Sequence, residues 1–184
     1  MCFFEKLKQW FLFTDAAYEP ETGCGGLGAA LFSEECDCVG WFGLPLNAET
    51  CLQLGGGVKQ TIIYELEWLA SILGLDCWAD RMRDGLQVCY GDNDSARFFL
   101  IRGSCLGPYA SSLMRYHLER EAITRVPTEA NVSDFPSRHV PHPLFHDALD
   151  ESAVALMWFE NLLSACLRGH AESNGEASQL VPGV

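Results

Sequence analysis

The sequence predicts an α/β domain that opens with an antiparallel meander of three strands, and three features carry that expectation. Strand-length apolar runs bounded by turn residues crowd the segment from Trp10 to Gly43. Between Val58 and Leu75 the apolar spacing changes to three and four residues, the period of a helix. Strand-like and helix-like segments then alternate as far as Val126. Hydrophobic residues make up 48% of the 184 positions and charged residues 20%, which excludes wholesale disorder and allows one full core.

Taken in order, Trp10–Ala16 reads as a buried strand, and Gly26–Phe32 as a second that follows the glycine cluster Gly23-Cys24-Gly25-Gly26. Cys38–Gly43 is a third short strand, and Pro45–Gly57 reads as a connection. Ile62, Ile63, Leu66, Leu69, Ala70 and Leu73 then mark one face of an amphipathic helix packed on the sheet. Leu86–Tyr90 is a fourth strand. It leads into a strand-to-helix junction at Asp92–Arg102, where Asn93 is a suitable cap. Tyr109–Glu121 is helical, Ala122–Val126 is a fifth strand, and Asn131 caps a short turn that holds Asp134.

This reading divides the chain into a lead-in at 1–8, a domain at 9–139, a proline-containing linker at 140–146, an amphipathic helix at 147–168 and a disordered tail at 169–184. The helix would place Leu149, Ala153, Leu156, Phe159, Leu163 and Leu167 on one face, and exposed apolar surface there would favour a partner.

Charge narrows the function classes. Twelve basic against 25 acidic residues give a net charge of −13, the wrong sign for a protein that grips nucleic acid by electrostatics alone. No apolar run approaches the ~18 residues of a membrane span, and no secretory leader is expected at the amino terminus. The nine cysteines include no CxxC pair and are odd in number, the pattern of reduced thiols in an intracellular protein. The pair Cys36-Asp37-Cys38 lacks the further ligands a structural zinc site needs.

Four carboxylates occupy positions that a solvated surface charge would not choose. Asp15 ends the apolar run Phe11-Leu12-Phe13-Thr14, and Asp92 ends Val88-Cys89-Tyr90-Gly91. Glu67 lies within the apolar helical run Tyr64–Ala70, and Asp134 starts the final turn. If the first and fourth strands lie side by side, Asp15 and Asp92 emerge near one sheet edge and the helix adds Glu67. Clustered carboxylates repel one another, and their plausible purpose is to bind hard divalent cations through oxygen. Two such ions ~3.5–4 Å apart can activate a water and stabilise the leaving oxygen of a phosphodiester.

These residues resemble the ribonuclease H domain of retroelement reverse transcriptases. The resemblance rests on Thr14-Asp15-Ala16 followed by Gly26-Leu27-Gly28-Ala29-Ala30-Leu31, on Glu67-Trp68-Leu69-Ala70, on Tyr90-Gly91-Asp92-Asn93, and on Asn131-x-x-Asp134-x-x-Ser137-Arg138. The order Asp, Glu, Asp, Asp is that of the family, and the similarity spans roughly residues 9–139. It implies a ribonuclease H-like, five-stranded mixed sheet flanked by helices. It also implies a two-metal hydrolase that cleaves the RNA strand of an RNA–DNA hybrid with Mg2+, Mn2+ being a substitute. By the same resemblance Asp15 would bridge the two ions, Glu67 and Asp92 would complete one, and Asp134 would hold the other. Glu65 is the rival of Glu67, disfavoured because the family glutamate stands three residues before the alanine, here Ala70.

Asn93, Arg97 and Arg138 are the candidates for substrate contact, and a reverse transcriptase or other polyprotein neighbour is an expected partner. Val126–Ser133 contains no histidine, so the proton-transfer role that many cellular members give to one is unassigned. A catalytically silent module of the same fold is the rival reading. Proofreading exonucleases are disfavoured by Asp15-Ala16-Ala17, where they carry Asp-x-Glu, and integrases by the glutamate standing second.

Overall fold

The sheet is assembled on β1, Gln9–Glu19, whose alternating side chains separate two differently used faces. The computed structural model describes residues 8–55, 62–83, 85–92, 123–125, 133–138, 145 and 147–177. β2 (Cys24–Phe32) pairs antiparallel with β1 in unbroken register from Phe11↔Phe32 to Glu19↔Cys24. The turn between them closes through Gly23, whose N–H donates to Glu19 O at 2.8 Å from a left-handed conformation (φ +71°) that glycine adopts without strain. β3 (Cys38–Leu46) pairs antiparallel with β2, so the predicted meander forms. The Cys36-Asp37-Cys38 pair is part of the β2–β3 turn, with Cys36 exposed and Cys38 Sγ directed at Gly40 O.

β4 (Leu86–Gly91) lies parallel to β1, and β5 (Ile123–Arg125) parallel to β4. A two-residue strand, β6 (Leu149–Asp150), adds to the free edge of β3, giving the order β5-β4-β1-β2-β3-β6. The sheet therefore has the five expected strands and a short sixth.

One face of the sheet carries the core. Leu12 and Ala16 of β1, Leu27, Ala29 and Leu31 of β2, Phe42, Leu44 and Leu46 of β3 and Cys89 of β4 are all buried there. α1 (Ala48–Leu54) occupies the region read as a connection, starting at Asn47, whose Oδ1 accepts from Thr50 N at 2.9 Å. α2 (Ile63–Cys77) packs across this face, followed by the single turn α3 (Ala79–Met82). Every residue of α2 from Leu66 to Asp76 is buried. The helix packs on the sheet as expected but is not buried on one face alone, and the reason is a second layer: the C-terminal helix α5 (Ser152–Ala177) packs against α2 from outside. α4 (Asp134–Ser137) sits on sheet strands β1, β2 and β3.

The C-terminal region departs most from expectation. Residues 149–150 form β6, and the helix starts at Ser152 instead of 147 because Glu151 N donates to Trp41 O and Asp150 Oδ1 accepts from Ser152 N. The inward face is Ala155, Phe159 and Leu162, so Leu149, Ala153 and Leu156 are not part of it. Within the expected linker, Phe145 is buried and stacks on Trp41 with ring centroids 5.6 Å apart. The helix continues to Ala177, past the expected start of disorder at 169, since extending a helix already anchored by packing adds a backbone hydrogen bond per residue without a new nucleus. The expected helices within 93–121 lie outside the described residues.

Among the described residues six cysteines are free thiols and no helix is long and apolar enough to cross a membrane. Burial pushes the Cys51 thiol up to about 11 and that of Cys77 to about 12. The unfolded chain ionises at these cysteines near 9.0 while the native chain keeps them neutral. Their contribution to stability is thus complete below pH 9 and is lost as pH rises through the folded values. Urea midpoints measured from pH 8 to pH 10.5 are expected to fall, and Cys51→Ala with Cys77→Ala to flatten the decline.

A second expected outcome concerns Gly28, where an added Cβ would stand 2.3 Å from Ser137 N and 2.7 Å from its Cα. Gly28→Ala is expected to lower the unfolding free energy by about 1–3 kcal/mol in urea titrations, the usual cost of overpacking a site whose neighbour is backbone.

Candidate metal centre

Asp15 lies in the middle of β1, not at its end, but it stands where β1 loses its neighbour on one side. The parallel register runs from Gln9↔Leu86 to Phe13↔Tyr90, and β4 stops at Gly91. Counting both strands forward by two residues puts Asp92 beside Asp15. The strands lying side by side is the condition on which the clustering of these two carboxylates depends.

The helix supplies the third group by a simple match of repeats. Gly74 of α2 lies against Leu12, where an added Cβ would meet the leucine methyls at 3.1 and 3.2 Å. One turn earlier Ser71 Oγ lies 2.9 Å from Thr14 Oγ1, a buried hydroxyl pair, and also donates to Glu67 O at 3.1 Å. Two strand residues advance ~6.6 Å and four helix residues ~6 Å, so the next step on each element brings Glu67 level with Asp15 and Ala16. Carboxylate oxygens of Asp15, Glu67 and Asp92 all lie within 4.8 Å of one another. Asp15 is 4% exposed and Glu67 5%, whereas Asp92 is half-buried and opens the cluster to solvent. Glu65, two residues or about 200° away around the helix, is half-buried and outside the cluster.

Asp134 begins α4, which the fold sets over β1 and β2 beside Asp15. The link is Ser137, whose Oγ donates to Asp15 Oδ2 at 2.5 Å and whose N–H donates to Ser133 O at 3.1 Å. Ser137 and Ser133 are buried, and the helix reaches the sheet at Gly28, the residue paired with Asp15. In the sequence alone Ser137 stands only as a motif position. Its spacing of three from Asp134 was a signal, but nothing local joined it to a strand 122 residues away.

Arg138 is exposed and lines a groove of about 580 Å³ with Ala17, Tyr18, Glu19, Gly26, Pro45 and Ser137 among its walls. The groove thus begins at the residue that touches Asp15. Asn93 and Arg97, the other candidates for substrate contact, lie outside the described residues.

The donor set suits a hard divalent cation. Three carboxylates offer only oxygen, two are withdrawn from water, and their mutual repulsion is relieved by positive charge placed between them. Ser137 adds a hydrogen-bond donor but no charge.

No family model matches the chain, and no curated protein matches it either. Solved structures do. The ribonuclease H1 of the halophilic archaeon Halobacterium salinarum superposes with a TM-score of 0.53 at 18% identity, over 72% of this chain and 95% of that one. The N-terminal RNase H domain of a Mycobacterium tuberculosis protein, solved as a fusion with maltose-binding protein, gives 0.53 at 11% identity, over 72% and 92%. LC11-RNase H1 in complex with an RNA/DNA hybrid gives 0.52 at 12% identity, over 71% and 95%. The mixed sheet, its antiparallel opening strands and these superpositions agree: the chain has the ribonuclease H-like fold.

Proposed function

We propose that this chain is a two-metal-ion endonuclease that hydrolyses the RNA strand of RNA–DNA hybrids, as part or remnant of a retroelement reverse transcriptase polyprotein. The observation that carries the reading is the meeting of Asp15, Glu67 and Asp92 within 4.8 Å, at the place in a ribonuclease H-like sheet where β1 and β4 part. The hybrid is favoured as substrate because one similar structure was solved in complex with an RNA/DNA hybrid. The retroelement setting is favoured by Glu67-Trp68-Leu69-Ala70 and by Asn131-x-x-Asp134-x-x-Ser137-Arg138. Exposed Val154, Leu156, Met157 and Trp158 on α5 would suit a polyprotein neighbour. A residence inside the cell, cytoplasmic or nuclear, accompanies this reading.

Asp15, Glu67, Asp92 and Asp134 would hold the ions, Mg2+ or Mn2+. When bound, such ions lower the pKa of water and offset charge on the leaving oxygen of a phosphodiester. The chain contributes orientation: β1 carries Asp15, the end of β4 delivers Asp92 beside it, and the helix brings Glu67 against them. Burial of Asp15 and Glu67 keeps bulk water from screening their charge. Arg138 offers a cation to a phosphate in the adjoining groove, while Glu19 in the same groove works against it.

The net charge of −13 and the lack of histidine in residues 126–133 favour the second reading, a silent module of the same fold, and one assay separates the two. Purified chain is incubated with labelled hybrid and Mg2+ or Mn2+. Metal-dependent cleavage of the RNA strand is expected, with Asp15→Asn and Asp92→Asn each slowing it by at least about 100-fold, beyond the roughly 10–100-fold that loss of an outer partner costs. A folded wild-type chain that binds hybrid without cutting it would establish the silent module instead.

The acidic surface also implies a weak electrostatic grip. The slope of log K against log salt for hybrid binding is expected to be shallower than about −3, roughly three phosphate contacts. A steeper slope would show that this chain supplies the grip itself.

A further inference from the structure

We propose that Ser137 is a positioning residue for the metal centre: it holds the Asp15 carboxylate in the orientation that accepts a cation and locks the Asp134 helix onto β1. The proposal rests on the reading of Asp15, Glu67 and Asp92 as a metal centre.

Three observations meet at this residue. Its hydroxyl donates to Asp15 Oδ2, and both side chains are buried, Ser137 at 1% and Asp15 at 4% exposure. Its backbone lies so close to the sheet that a side chain at position 28 has no room, the Cβ position being 2.3 Å from Ser137 N and 2.8 Å from Ser133 O. Position 28 is also the register partner of Asp15. The close approach and the hydrogen bond therefore act on the same row of the sheet, and glycine at 28 is what permits both.

An aspartate on a strand can rotate its carboxylate freely unless something engages it. In this cluster repulsion from Glu67 and Asp92 would turn Asp15 away from the point where the three converge. A hydroxyl donor opposes that rotation without adding a positive charge that would compete with a cation. Bonds to charged groups are the stronger ones, and outer partners of metal ligands commonly set affinity. The same serine ends α4, so the contact also fixes where Asp134 begins.

The test reads metal binding directly, apart from any nuclease assay. Mn2+ affinity is measured by electron paramagnetic resonance for the wild type, Ser137→Ala, Ser137→Cys and Asp15→Asn, with folding checked by circular dichroism. Ser137→Ala is expected to bind Mn2+ about tenfold more weakly or worse. Ser137→Cys, which keeps a weaker donor, should fall between alanine and the wild type. Gly28→Ala, which pushes the helix off Asp15, should weaken binding in the same direction. Wild-type affinity in folded Ser137→Ala, with affinity lost in Asp15→Asn, would overturn the role of Ser137 and leave the metal centre standing. Absence of Mn2+ binding by the wild type would overturn the metal centre itself, and the proposal with it.

Discussion

Three carboxylates are held within 4.8 Å of one another, and the strands and helix around them keep that convergence in place. At an effective dielectric near 20, each ionised pair at this separation costs about 3–4 kcal/mol. A flexible site would relax by spreading. Here Asp15 is carried on β1, Asp92 directly follows the end of β4, its parallel neighbour, and Glu67 sits on a helix packed across the sheet. The Thr14–Ser71 hydroxyl pair and the close approach of Gly74 to Leu12 fix that helix along β1. The three oxygens' convergence is thereby set by the fold, and a cation placed between them would hold all three in the charged form.

The stiffness of α2 has a source beyond the sheet. Its outer side would face water in a two-layer domain, yet residues Leu66 to Asp76 are buried throughout because α5 covers them with Ala155, Phe159 and Leu162. α5 is itself tied down at its start. Arg81 of α3 donates to Val39 O and to Glu151, Ser152 Oγ accepts from Gly43 N at 3.1 Å, and Phe145 stacks on Trp41. β6 at the same time covers part of the edge that β3 would otherwise leave open, which blunts unwanted strand pairing. The C-terminal segment is thus a structural layer of the domain, and its removal would loosen the helix that carries Glu67.

Much of this was legible locally. The meander, the fourth and fifth strands and a helix within residues 58–75 follow from apolar period and turn residues, which are properties of neighbours in sequence. Glu65 and Glu67 were not separable by composition, because both sit in the same apolar run; only the match of Gly74 to Leu12 and Ser71 to Thr14 brings Glu67 to the aspartates. The C-terminal helix was legible as a helix but not in its facing. A period of 3.6 identifies apolar residues on a cylinder, while the choice between Leu156 and Ala155 as the inward position depends on where α2 lies beneath it.

The sequence by itself determined the types of the main strands and helices, though not of α1 or β6, together with the order of the acidic residues and the small side chains that let backbone approach backbone. Those follow from dihedral preference and apolar spacing, which act over a few residues. Tertiary structure alone decided that Asp15 stands mid-strand where β4 ends, that residue 28 must be glycine, and that Ser137 reaches Asp15 across 122 positions. Such contacts depend on register between strands and on the depth to which a helix settles, and no local rule contains either quantity.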